Sequence, residues 1–258
     1  MPVTTLDLKA RRFVAGAQEF ARLLGAGWLG LRDIWHYRRQ VVEAMVVFGS
    51  SASFLVLASG LFLGLVLALE WGTKLEQFGA KLLMGQIVAI GVVREIGPMI
   101  TGIMVAGRTG AKMAAEIGSM KVTDQLDALR ALGMDPVARL VMPRQVAVMI
   151  TMFPLTVMAD ALAIIGGWFV AVQWLGIKSN YFWSSALDSL TFKDLAVGYC
   201  KPLFFGYIIA SISAYYGMTT KGGAAGVGDS ATKAVMYSSL SILIVDFILG
   251  KLVLALFG

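Results

Sequence analysis

The chain has 258 residues, 58% hydrophobic and 15% charged, with a mean hydropathy of +0.76. That balance excludes a water-soluble domain, and the length allows only a handful of bilayer crossings. The formal charge of +6 comes from Lys and Arg in short segments beside apolar spans, where topology and anionic lipid account for it, so nucleic-acid binding is not expected. Cys200 and His36 are single representatives of their kinds, which leaves no parts for a disulfide framework, a metal cluster or a His-based triad. No catalytic or metal-binding residue is therefore assigned, and no cofactor is expected in this chain.

The first 40 residues lack a short apolar run followed by a cleavage site, so no removable signal peptide is expected. Residues 5–40 instead place Phe13, Ala17, Phe20, Leu24, Trp28, Leu31 and Trp35 at spacings of three and four, with Lys9, Arg11, Arg12, Arg22, Arg38 and Arg39 on or beside the other face. This pattern predicts an amphipathic helix lying in the membrane interface; packing on a soluble partner is the alternative. His36, between Trp35 and Tyr37, reads as an interfacial side chain.

Five apolar stretches follow, at 44–69, 82–107, 146–172, 195–216 and 234–257, each long enough to cross about 30 Å of hydrocarbon at ~1.5 Å per residue. The predicted fold class is an all-α polytopic membrane protein forming one membrane domain. Gly60 and Gly64, four apart in the first span, either permit close helix contact or reflect the general abundance of glycine in membrane helices. Lys and Arg concentrate in the N-terminal region, in 108–145 and in the loop carrying Lys221 and Lys233, against only Lys74, Lys81, Lys178 and Lys193 in the alternate loops. By the positive-inside rule the N-terminus lies in the cytoplasm and the C-terminus in the periplasm.

The loop 173–194 carries Trp174, Tyr181, Phe182 and Trp183 and predicts a short helix on the outer interface. The glycine-rich loop GGAAGVGDSATKA lacks both GxxxxGK(S/T) and GxGxxG spacing, so it reads as a flexible turn ending in an Asp229 or Ser230 cap. The segment 108–145 has helix punctuation of its own. Thr123 is placed to cap a helix with an acidic first turn, Gly133 to stop it, and Asp135 with Pro136 to start the next. Leu126, Leu129 and Leu132 give the first of these an apolar stripe; it either docks a partner or packs on its own chain.

The second span carries Arg94 and Glu95 where hydrocarbon should surround them, at a cost of at least ~2.5–3.5 kcal/mol for a charge at the bilayer centre. They should face a wet cavity, another helix or each other. Neighbouring residues point ~100° apart on a helix, so they cannot both lie on one face. Gly97 and Pro98 follow, and the proline leaves the Arg94 carbonyl without its usual donor. A break beside a charge suits a binding site; a salt bridge that fixes packing is the alternative. Asp160, Lys201, Asp246 and Lys251 read as intramembrane pairing or snorkelling groups.

The run REIGPMITGIMVAGRTGAKMAAEIGSMKVTDQLDALRALGMDP (94–136), with PR at 143–144 and the loop GGAAGVGDSATKAV, resembles the signature of the MlaE/YrbE permease family, and the similarity spans nearly the whole chain. The resemblance implies the permease subunit of an ABC transporter in the bacterial inner membrane. That subunit is a homodimer bound to separate cytoplasmic ATPases, which hold the ATP and magnesium, and it lies beneath a periplasmic ring of MCE-domain subunits. A small cytoplasmic accessory subunit is a further partner the family allows. The implied work is ATP-driven movement of phospholipid between the inner membrane and the MCE carrier, which maintains outer-membrane lipid asymmetry. By the same resemblance Arg94, Glu95, Gly97 and Pro98 belong to the lipid cavity, with Leu75 and Phe78, which match the family loosely, at its edge. The segment 115–130 matches the coupling helix that docks on the ATPase, giving Glu116, Gly118, Lys121, Asp124, Gln125, Asp127, Ala128 and Arg130 as its residues. A proton-coupled secondary transporter using Glu95, Asp160 and Asp246 is the competing class, but no inverted repeat is visible between the halves.

Overall fold

The structure, a computed structural model, describes residues 18, 20–25 and 37–257. Among them there is no strand, and five helices are long and apolar enough to cross a membrane. The chain runs through α1 (Arg38–Gln77), α2 (Lys81–Val122), the short α3 (Gln125–Ala131), α4 (Val137–Gln173), α5 (Ser179–Ser189), α6 (Phe192–Met218) and α7 (Gly223–Phe257). Five crossings put α3 and the α6–α7 turn on one side, and the α1–α2 turn and α5 on the other. Most of the helix predicted over 5–40 lies outside the described residues. Within them, 20–25 are helical, Leu23 is buried, and the Tyr207 hydroxyl donates to the Leu24 carbonyl.

The fold is organised by a seam between α1 and α4, which run in the same direction. On α1, Phe48, Ala52, Val56, Gly60, Gly64, Ala68 and Gly72 recur every four residues and are all buried. In lipid there is no hydrophobic drive between helices, so small side chains that let backbones approach are what holds them together. Gly60 and Gly64 sit on the backbone of Ala159 and Ala163, where even a methyl group at position 64 would lie 1.8 Å from the Ala163 carbonyl oxygen. The close-contact reading of this pair is the one the fold realises, and Gly166 and Gly72 extend the seam in both partners.

Two larger apolar cores result, beside a smaller cluster of Val41, Met142, Val146 and Ala147. One gathers Val56, Val105, Met113, Ile117, Met152, Phe205 and Ile242 on the α3 side. The other gathers Ala68, Met84, Val88, Val92, Ala163, Val170 and Phe182 on the α5 side. Between them lies a polar layer that contains Arg94, Glu95, Asp160, Lys201 and Asp246.

Local signals act largely as the residues dictate. Thr191 and Asp194 form a reciprocal capping box that starts α6. The helix expected in 173–194 is α5, which turns Phe182 inward while Trp174 and Tyr181 remain exposed. Asp135 accepts from the Val137 N–H at 2.9 Å, and Gly133, at φ +73°, stops α3. Two caps differ from expectation. Thr123 donates its hydroxyl to the Ser119 carbonyl, because it is still on the last turn of α2; Asp124, at φ +57°, makes the bend and occupies the cap position. Asp229 and Ser230 do not cap α7. Positive φ at Gly222 and Gly223 completes the turn first, so α7 begins six residues earlier, with Asp229 paired to Lys233 and Ser230 accepting from Thr220.

Candidate functional site

Alpha-helical phase is broken in α2 where its charges lie. Residues Val92–Ile96 form a wide, π-type turn in which the Gly97 N–H reaches the Val92 carbonyl. Such turns accommodate one extra residue and recur at functional sites. Pro98 then withholds the donor that the Arg94 carbonyl would ordinarily use. Lys201 supplies it: its Nζ, almost fully buried on α6, donates to that carbonyl at 3.0 Å.

The same ammonium group organises the rest of the site. Lys201 Nζ donates to Glu95 Oε2 at 2.5 Å and lies 2.9 Å from Asp246 Oδ1 on α7, an ion pair rather than an aligned hydrogen bond. Arg94 points away from Glu95, as their angular separation requires, and meets Asp194 on α6 at 3.3 Å. Asp194 is the carboxylate of the capping box, so its position is fixed by its bonds to Thr191 before it meets the arginine. Two cations and three carboxylates thus give the cluster one net negative charge. Glu95 keeps 48% of its side chain exposed and Arg94 36%, whereas Lys201 keeps 3%. The fully desolvated lysine is the anchor and the other two present charge outward.

Beside this cluster a groove of about 370 Å³ opens between α6 and α7. Phe192, Ala196, Val197, Phe204, Leu249 and Val253 make it apolar, and Lys201 and Lys193 also line it. Gly97 and Pro98 shape the backbone at the cluster. Leu75 and Phe78 are not brought to it: Leu75 packs on the α5-side core and Phe78 is exposed in the turn after α1. The turn lies some 16 residues before Arg94, or about 24 Å of helix.

Of the acids and bases expected to pair within the membrane, Lys201 and Asp246 do so and Asp160 does not; neither of its carboxyl oxygens has a hydrogen-bond partner. Asp194 was not singled out from the sequence, although the T-x-x-D spacing before an apolar run marks it as a capping residue.

The residues expected to meet an ATPase divide in two. Asp124, Gln125, Asp127, Ala128 and Arg130 are exposed around α3, while Leu126 anchors that helix in the core. Of the expected stripe only Leu126 is fully buried; Leu132 is exposed. Glu116 and Gly118 are engaged within the chain: Glu116, still partly exposed, pairs with Arg144 at 3.3 Å, and Gly118 is buried against Thr220. Asp127 bridges Lys121 and Arg130, each at 2.9 Å. The Lys121 hydrogen bond, with the two positive charges, holds its carboxyl below the usual range, so it stays ionised at neutral pH and loses its pairing only in acid.

Comparison with protein families matches residues 41–252 to the family described as "Permease MlaE". The chain belongs to the MlaE permease family. It is 36% identical over 239 residues to the intermembrane phospholipid transport system permease protein MlaE of Haemophilus influenzae, covering 90% of this chain and 92% of that one. A probable ABC transporter permease protein of Rickettsia typhi is 38% identical over 216 residues, 84% of this chain and 83% of its own. The chloroplast protein TRIGALACTOSYLDIACYLGLYCEROL 1 of Arabidopsis thaliana is 35% identical over 213 residues, 83% of this chain and 61% of its own. The MlaE match contains the whole charge cluster and both sides of the α1–α4 seam.

Proposed function

We propose that this MlaE-family chain is the membrane subunit of an ATP-driven phospholipid transporter of the bacterial inner membrane. The observation that carries the reading is that Lys201, the centre of the charge cluster, also lines an apolar groove, which offers a headgroup site and an acyl-chain site side by side. A phosphate diester binds a guanidinium bidentately and its charge does not titrate away near neutrality. Arg94 keeps 36% of its side chain exposed and is held by a single carboxylate, Asp194, which a lipid phosphate would replace as partner. Glu95 and Asp246, both on Lys201, keep the empty site from carrying excess positive charge.

The remaining assembly follows the family resemblance. The chain works as a homodimer, with α3 facing the cytoplasm and an ABC ATPase on each copy, and with a periplasmic MCE ring receiving lipid on its way to or from the outer membrane. The abundance of Lys and Arg on the α3 side, at Arg108, Lys112, Lys121, Arg130, Arg139, Arg144, Lys221 and Lys233, supports that orientation. A proton relay through Glu95, Asp160 and Asp246 is disfavoured, because two of the three acids are committed to the same lysine.

A photocrosslinking residue at position 94 or 95 should capture phospholipid in cells. Capture at control positions of α2 but at neither of these would make the cluster purely structural. The α3 surface is tested separately. Ala128→Trp, or reversal of Asp124 and Asp127 to lysine, should reduce the ATPase copurifying with the chain by about tenfold or more, as loss of a central contact worth ~2 kcal/mol requires, while the permease stays in the membrane. Undiminished copurification and ATP hydrolysis would remove α3 from the docking surface.

A further inference from the structure

Asp160 has no part in the charge cluster, yet it is a carboxyl group 1% exposed in the interior of a membrane-spanning helix. Both oxygens lack a hydrogen-bond partner, and no Lys or Arg among the described residues is within ion-pair distance of it. The crevice that holds it, lined by Ser59, Gly60, Leu63, Gly97, Thr101 and Ala163, is too small for a water molecule. The carboxyl is pressed against the backbone of α2 just after its wide turn; a methyl group on Gly97 would lie 1.8 Å from Oδ1.

The groups facing it cannot neutralise a negative charge. From α1, the Ser59 hydroxyl is spent on the Val56 carbonyl. From α2, Arg94 is engaged by Asp194 and Glu95 by Lys201. From α4 itself, Thr156 donates to Met152. From α6, the titratable group close enough to interact with it is the Tyr199 phenol, which edges onto Phe153 and carries no positive charge; Lys201 on the same helix is already shared between Glu95 and Asp246. An ionised carboxylate with neither water nor a cation is far costlier in such surroundings than the neutral acid.

We propose that Asp160 is a proton-binding site, occupied while α2 and α4 are closed around Gly97 and vacated when they separate at the wide turn. On opening, the carboxyl O–H bond breaks heterolytically, its electron pair stays on the carboxylate, and the proton leaves on a water molecule that enters the crevice as hydronium is formed. The wide turn makes the opening local, since its extra residue can be redistributed along α2 without unravelling the helix. Arg94 and Glu95 lie on that turn, so proton occupancy at Asp160 and the position of the charge cluster are linked. This inference does not rest on the lipid reading.

The test uses the full chain in lipid nanodiscs. Infrared difference spectra between the parent and Asp160→Asn at neutral pH should show the carbonyl stretch of a protonated carboxyl lost in the variant, and Asp160→Ala should remove the same band. A difference containing only ionised-carboxylate bands would overturn the proposal. A second readout follows the sign of the linkage: the closed form holds the proton, so it is favoured at low pH and weakened as pH rises. The parent's melting temperature should fall relative to that of Asp160→Asn from mildly acidic to mildly alkaline pH, and parallel curves for the two would equally reject proton release.

Discussion

Lys201→Met should destabilise the folded chain by about 3–5 kcal/mol, read as a fall in melting temperature of the detergent-solubilised protein. The size follows from what the ammonium group holds. Its removal leaves Asp246 nearly buried and negative, takes the counter-charge from Glu95, and orphans the Arg94 carbonyl that Pro98 had already deprived of a donor. The attraction within the cluster is largely consumed by desolvation, so removing the carboxylates together with the lysine should do less harm than removing the lysine alone. Lys201→Met combined with Glu95→Gln and Asp246→Asn is expected to recover most of the loss. Lys233→Met, which breaks an exposed pair with Asp229 one helical turn away, should change stability by no more than about 0.5 kcal/mol. Coinciding curves for Lys201→Met and the parent would mean that the cluster is not held by charge.

Gly64→Val should prevent accumulation of a folded, monodisperse protein. The atoms a Cβ would strike are the Ala163 carbonyl oxygen at 1.8 Å, its carbon at 2.5 Å and the Ala163 Cα at 2.7 Å, all of which are backbone and cannot rotate away. Overpacking ordinarily costs about 1–3 kcal/mol when side chains can yield. Here α1 and α4 must separate along the seam, and the contacts at Gly60, Gly166 and Gly72 go with it. Gly91→Ala is the matched control, because nothing lies within 4 Å of a Cβ there, and it should be neutral or gain up to about 1 kcal/mol of helix propensity. Size-exclusion profiles from membranes expressing each variant separate the outcomes, and a normal profile for Gly64→Val would show that the seam is not the close contact described.

Five spans were legible in the sequence because hydrocarbon imposes a length and an apolarity on anything that crosses it. The helices are longer than the apolar runs: α2 continues to Val122, well past the last long apolar stretch, since Lys112, Glu116 and Lys121 are good helix formers and the wide turn at Ala106–Gly110 does not end the helix. The cap falls on Asp124 rather than on Thr123 for the same reason. A residue with capping chemistry serves just as well on the last turn of the preceding helix, and only the backbone angle at Asp124 distinguishes the two.

By itself the sequence determined the membrane class, the family, the divergence of Arg94 from Glu95 and the orphaned carbonyl above Pro98, because each follows from local covalent geometry or from the cost of charge in lipid. Only the tertiary structure decided who answers those demands. Lys201 lies 107 residues from Arg94, and Asp194 is held by its own cap, so their meeting depends on how far each helix is rotated and how closely the glycine seams let it approach. The same holds for the acids: Asp160 and Asp246 look alike as charges within apolar spans. One faces a lysine across a helix contact and the other faces Gly97, and that difference is set by packing between helices, which no local pattern encodes.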